Sequence, residues 1–235
     1  DRRPIIVLDP GHGGIDPGAE KRGVREADLM LLLAREIKEA LLRTGRYDVV
    51  LTRETDVFVS LEERVRLAHR HMADVFISLH ADALEFGVAQ GARIYTLSEA
   101  ASDRASAALA ERHDRTDILS GVDLDGAGDE VTDILLDLAR LDNAPRSVAL
   151  AEAVLSGIKD STGDIYKKPL QQAAFSVLKA ANIPSILVEA GFMSTNHDLE
   201  NLLDPQWRAA FAAGLRDGLA DWVLTDRAKA ALRRR

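Results

Sequence analysis

Three short apolar runs, each ending in a residue able to hold a metal or move a proton, constrain this chain more than any other feature. Ile5-Ile6-Val7-Leu8 runs into Asp9-Pro10-Gly11-His12-Gly13-Gly14. Val75-Phe76-Ile77-Ser78-Leu79 runs into His80-Ala81-Asp82, and Ser185-Ile186-Leu187-Val188 runs into Glu189-Ala190-Gly191-Phe192. Such runs, cut off by Gly or Pro or closed by a polar residue, read as buried strands whose last residues sit on tight loops at the carboxyl edge. In open α/β sheets that edge is where sites are built. If the three strands are parallel neighbours, His12, His80 and Glu189 emerge on one side of one sheet. Two imidazoles and a carboxylate suit zinc, which takes nitrogen and oxygen ligands at about 2.0–2.2 Å.

A second carboxylate belongs with them. Gly23-Val24-Arg25-Glu26 immediately precedes a helical pattern in which Leu29, Leu33, Ile37 and Leu41 recur every fourth residue, with Thr44-Gly45 as its stop. Glu26 therefore lies in or just before the first turn, where a carboxylate also interacts favourably with the helix dipole. The short Gly-rich connection 13–18 can fold it back toward His12. The spacing alone does not separate the roles of Glu26 and Glu189.

The coarse pattern predicts strands at 4–8, 48–52, 75–79, 91–97, 174–178 and 185–189. Helices are predicted at 26–43, 61–72, 99–112, 129–142, 145–160 and 205–224. Ser60 with Glu63 forms a capping box, and Asp204-Pro205 supplies an N-cap and a proline at the first helical position. The expected fold is α/β, a single domain with a central, mostly parallel, twisted sheet and helices on both faces. It spans residues 1–225, with a basic tail at 226–235. Arg53, Glu62, Glu63 and Arg64 read as capping and surface-pairing groups ahead of substrate contacts. His69 and His71 lie beside Arg66 and Arg70 on a solvated helix face. His113 and His197 read as loop residues without a ligand partner at useful spacing.

Composition narrows the function classes. A chain of 235 residues with 46% hydrophobic content can bury a sizeable core. A net charge of −8 argues against a nucleic-acid binder, which needs a basic footprint. Cysteine is absent, which removes disulfides and thiolate metal sites. No apolar run reaches the length of a transmembrane helix. No secretory signal opens the chain, and a start at Asp1 fits a matured or trimmed protein.

These motifs, in this order, resemble those of the zinc-dependent N-acetylmuramoyl-L-alanine amidases, which cut the stem peptide from the glycan of bacterial peptidoglycan. The resemblance is carried by Asp9 to Gly14 with Asp16-Pro17-Gly18-Ala19, and by Arg25-Glu26. It continues through Thr52-Arg53, Asp56 and Ser60-Leu61-Glu62-Glu63-Arg64 to Ser78-Leu79-His80-Ala81, and ends at Val188-Glu189-Ala190-Gly191-Phe192. It implies that His12, Glu26 and His80 bind zinc and that Glu189 is the catalytic acid/base. Asp82 stands where the family often has Asn. A periplasmic location follows from the implied substrate. A zinc peptidase acting within the stem peptide and a non-catalytic wall-binding module are the alternatives from other classes.

Residues 113–144 exceed what a minimal amidase needs. An acidic, Gly-rich loop, 114–130, enters a helix on which Val131, Ile134, Leu135 and Leu138 form an apolar stripe opposite Asp133 and Asp137. This insertion resembles the regulatory region of periplasmic cell-division amidases, where a helix covers the zinc cleft until an activator protein displaces it. A carboxylate can close a three-ligand zinc, and Glu130 is the first candidate for that plug, with Asp129 second.

Overall fold

The computed structural model describes residues 2–83, 89–119 and 130–233, and the side chains at 116–142 and 231–233 fall outside that description. The chain runs β1 (Ile5–Pro10), the hairpin β2 (Glu20–Lys21) and β3 (Val24–Arg25), α1 (Glu26–Leu42), β4 (Asp48–Leu51) and α2 (Leu61–Arg70). Then come β5 (Val75–His80), β6 (Ala92–Leu97), α3 (Arg104–Leu119), α4 (Glu130–Thr162) and β7 (Ile165–Ala173). A 3-10 turn at Ser176–Leu178 leads to β8 (Ser185–Glu189), α5 (Asn196–Leu203) and α6 (Pro205–Arg233).

Six strands form one sheet in the order β4-β1-β5-β8-β6-β7. Every pairing is parallel except β6 with β8. The α/β, mostly parallel sheet expected from the sequence is therefore present. Side chains alternate across a strand, and this sorts the core into two layers. Ile6, Leu8, Ile77, Ile186 and Val188 pack against Leu33 and Ile37 of α1, Val154 and Ile158 of α4, and Phe211 and Leu215 of α6. Val7, Phe76, Leu187 and Tyr95 face the other way, against Ala68 of α2, Leu109 of α3, and Phe175. Asp9, Ser78, His80 and Glu189 continue that second set, so the site belongs to the α2/α3 side.

Several boundaries differ from the sequence reading. The helices expected at 129–142 and 145–160 are one helix, α4, with Pro145 inside it. Tertiary contacts brace that point, since Arg146 pairs with Asp226 at 2.8 Å and its carbonyl accepts from Trp222 Nε1 at 3.2 Å. The strand expected at 174–178 lies earlier, as the edge strand β7, while Ser176–Leu178 forms the 3-10 turn. Residues 226–233, read as a tail, continue α6. Ser60 Oγ accepts from Glu63 N–H at 3.2 Å, and Asp204 Oδ1 accepts from Gln206 N–H at 2.9 Å, as the two helix starts require.

One buried ion pair ties the sheet to the loop that follows β1. Asp9 and Arg64 are both nearly inaccessible, and Arg64 Nη1 donates to Asp9 Oδ1 at 2.7 Å. Thr52 Oγ1 and Ser78 Oγ also donate to this carboxylate, at 2.5 and 2.7 Å. Burial opposes its ionisation, but the Arg64 charge and these hydrogen bonds outweigh it and hold Asp9 below the ordinary 3.8. Stability from this group is thus present above that value and lost as pH falls through the depressed one. Asp9→Asn should leave Arg64 buried without its counter-charge and destabilise the fold by about 3–5 kcal/mol at neutral pH. Urea denaturation checks it, and the gap to the parent should narrow below pH 3.8.

Candidate functional site

The loop after β1 leaves the sheet with its carbonyls unpaired, and two arginines cover them. Arg64 Nη1 donates to Pro10 O at 2.9 Å and Nη2 to His12 O at 2.9 Å. Arg53 Nε donates to Pro10 O at 3.0 Å, and its Nη2 reaches Gly11 O and Ala27 O, each at 2.8 Å. Both side chains are buried, so the surface pairing expected for them is corrected to a clamp on the histidine loop. Glu62 and Glu63 do pair at the surface, with Arg66. The clamp supports a strained residue: His12 has φ 61°, in the left-handed region that non-glycine residues rarely adopt.

Each ring nitrogen of His12 has a distinct task. Nδ1 lies 2.6 Å from Asp16 Oδ2 and donates to it, which leaves the Nε2 lone pair facing inward. On β5, Ser78 Oγ spends its proton on Asp9 and accepts from His80 Nε2 at 3.2 Å, so His80 presents Nδ1 as the free lone pair. Glu26, the first residue of α1, completes the group. Its Oε2 accepts from Ala19 N–H at 2.9 Å and its Oε1 from Ala81 N–H at 2.8 Å. Oε1 stands 3.2 Å from His12 Nε2 and 3.3 Å from His80 Nδ1.

These contacts fit a metal. His12 Nε2 and His80 Nδ1 are buried and make no hydrogen bond. Ligands about 2.0–2.1 Å from a tetrahedral zinc stand about 3.3 Å from one another, the spacing Glu26 Oε1 shows to each imidazole. The electrostatics agree. Burial resists a charge on His12, yet Glu26 and Asp16 hold its pKa up to about 10. Burial likewise resists ionisation of Glu26, but His12 and His80 keep it well below the usual range. The pair favours a cation between its members, whether a proton or a metal.

Glu189 is the direct neighbour of His80 in the sheet register. Its Oε2 accepts from Asp82 N–H at 3.0 Å, while Oε1 is buried without a partner. Burial, then the charges of Asp82 and Glu26, push its pKa well above the carboxylate range. Asp82 itself is raised to about 6, by burial first and Glu26 second, against the opposing Arg112 charge. Its carboxylate accepts from Arg112 Nη2 of α3 at 2.5 Å.

The structure also corrects the reading of two histidines. His113 lies on α3, buried, with its ring centroid 4.4 Å from that of His80 and 5.6 Å from that of His12. One nitrogen from each of the three rings lies within 4.8 Å of the others. Burial and the neighbouring His80 and His12 hold its pKa well below 6.5, which keeps the ring neutral. Ending the predicted helix at 112 hid the signal, because Ser106, Leu109, Ala110 and His113 share one helical face. His197, the second residue of α5, has Nε2 2.8 Å from Asp164 Oδ2, and the adjacent Asp198 carboxylate accepts from the Gly91 and Phe192 N–H groups. Glu130 begins α4, but its side chain, like the whole of Asp129, lies outside the described residues.

Gly18 shows how tightly His12 and Glu26 are packed. Its φ is 68°, and a Cβ there would meet His12 Cδ2 at 2.6 Å and Glu26 Oε2 at 2.7 Å. Gly18→Ala should therefore displace both side chains, and, if these side chains hold zinc, weaken its binding by about 10–100-fold, the range for lost outer-shell support. Competition with a chromophoric chelator measures this, and an unchanged affinity would count against His12 and Glu26 as ligands.

Comparison with known proteins identifies the family. A family model for N-acetylmuramoyl-L-alanine amidases matches residues 6–221. The amidase AmiA of Escherichia coli (strain K12) is 37% identical over 223 residues, which cover 94% of this chain and 75% of that protein. AmiC of Neisseria meningitidis serogroup B is 36% identical over 226 residues, 95% of this chain and 54% of that longer protein. The crystal structure of an N-acetylmuramoyl-L-alanine amidase from Clostridium difficile 630 superposes with a TM-score of 0.72 at 25% identity, covering 95% of this chain and 98% of that one. The chain thus belongs to the N-acetylmuramoyl-L-alanine amidase family.

Proposed function

We propose that the protein is a zinc-dependent peptidoglycan amidase, acting in the periplasm, that hydrolyses the amide between the lactyl group of N-acetylmuramic acid and L-alanine of the stem peptide. The observation that carries this reading is the convergence of His12 Nε2, His80 Nδ1 and Glu26 Oε1 beside the half-satisfied Glu189 carboxylate. His12, Glu26 and His80 would hold the zinc. When bound, zinc polarises the amide carbonyl and makes the attacking water more acidic.

Glu189 carries the proton. The Asp82 N–H fixes Oε2 and leaves Oε1 buried without a partner. In this reading Oε1 takes a proton from the water as the new carbon–oxygen bond forms, and returns it to the L-alanine nitrogen as the carbon–nitrogen bond breaks. A raised pKa suits this double role, because a group that both accepts and donates works best near the operating pH. Among the described residues, no helix is long and apolar enough to cross a membrane.

Regulation is part of the same reading. Segment 113–144 holds the cleft shut until an activator protein of the division machinery displaces it. Mass spectrometry of muropeptides digested with activated protein tests the reaction: free stem peptides support it, whereas shortened stems still attached to sugar mean a peptidase. An untouched product set means a binding module.

Two variants separate the roles. His80→Ala should lose zinc by elemental analysis, with the fold retained. Glu189→Gln should keep zinc and lose about 10²-fold or more in turnover. Near-normal turnover in the second variant would assign the proton transfer to another group.

A further inference from the structure

A buried arginine is rarely left without a carboxylate partner, and Arg93 on β6 has none among the described residues. It is 3% exposed. Its Nη1 donates to the Tyr95 hydroxyl at 2.7 Å, the guanidinium's one hydrogen bond among the described residues, while Nε is buried without a partner. The guanidinium carbon lies 3.9 Å from the ring centroid of Tyr166 on β7 and 5.4 Å from that of Phe192. These rings shelter the charge, but cation–π attraction consumes no N–H. The Nε–Nη2 fork stays available to a carboxylate, which it binds through two parallel hydrogen bonds.

The sheet ties this unused fork to the reaction. Arg93 is the register partner of Glu189 across the antiparallel β6–β8 pair, so both side chains leave the sheet on one face, from backbones about 5 Å apart. The strand order runs β1, β5, β8, β6, which puts His12 and His80 on one side of Glu189 and Arg93 on the other. The scissile carbonyl belongs with the histidines and the alanine nitrogen with Glu189, so the leaving peptide continues toward β6. One residue step along a peptide is about 3.8 Å, enough to carry the residue after L-alanine from Glu189 to Arg93. Lys167 and Lys168, exposed on β7 next to Tyr166, add positive charge on the strand beyond.

We propose that Arg93 is a specificity-determining residue whose guanidinium binds the free carboxylate of the stem-peptide residue that follows L-alanine, and so holds the leaving peptide beside Glu189. The proposal rests on the amidase reading and names the part of the substrate that the site selects. A carboxylate supplies the counter-charge and the acceptor for Nε that the described residues lack. A carboxamide supplies one acceptor and no charge, and its NH2 would face a donor.

The probes are two synthetic stem peptides that begin at L-alanine and differ only in that group, carboxylate in one and carboxamide in the other, titrated calorimetrically into the zinc-loaded full chain. The parent should bind the carboxylate peptide about 10–100-fold more tightly, the worth of hydrogen bonds between charged groups. Arg93→Gln should lose that preference with its affinity for the carboxamide peptide unchanged. Arg93→Lys, which keeps the charge without the fork, should retain part of it. With intact muropeptides of the two kinds, Arg93→Gln should raise KM for the carboxylate stems by about tenfold or more and leave kcat near the parent value.

Equal affinities in the parent would overturn the assignment without touching the amidase reading, and that comparison needs no variant to fold. A preference retained in folded Arg93→Gln would overturn it too, as would an equal loss of kcat on both muropeptides, which marks a merely structural role. A preference that depends on Arg93, with no stem peptide released by any form, would uphold the subsite and reject the amidase reading.

Discussion

The buried Asp9–Arg64 pair is the interaction on which the remainder of the site depends. A loop that leaves the sheet to present His12 must give up ladder hydrogen bonds, and its carbonyls are then a liability in a dry environment. Arg64 and Arg53 answer this with forked donors that a lysine could not match. Their cost is two guanidinium groups in the interior. Burial, and then the charge of Arg64, bring Arg53 down to about 10. Asp9 supplies the compensating charge from the last turn of the same strand, and it also orients Ser78 and, through Ser78, the ring of His80. One carboxylate therefore sets the position of the first histidine and the tautomer of the second.

That arrangement accounts for the chemistry available at the carboxyl edge. Glu26, Asp82 and Glu189 converge where the α1 start, the β5 end and the β8 end meet. Their mutual repulsion is visible in the raised values of Asp82 and Glu189. Glu26 escapes the same fate because two imidazoles face it. The two glutamates, whose roles the spacing could not separate, are thus divided by environment: one is held ionised among donors, the other is kept protonatable by burial.

How far this was legible in the sequence depends on the kind of signal each part carries. Apolar runs ending abruptly are strong local signals, and β1, β5 and β8 lie close to where they were expected. The same holds for α1, whose four-residue leucine spacing places Glu26 at its first position. β7 was misplaced because its stretch of two exposed lysines, Lys167 and Lys168, followed by Pro169 does not look like a strand. An edge position tolerates both the lysines and the proline. Pro145 reads as a helix break by local rules, and packing of α4 against α6 overrides them. His113 and the buried roles of Arg53 and Arg64 depend on which elements meet in space, and no window of sequence contains that information.

Helix α3 bears on the electrostatics of both Asp82 and Glu189. Burial is the first cause of the raised Glu189 pKa, and α3 packs against the side of the sheet from which that carboxylate emerges. Arg112 of α3 donates to the Asp82 carboxylate, whose charge is the second cause of the raised Glu189 value after burial.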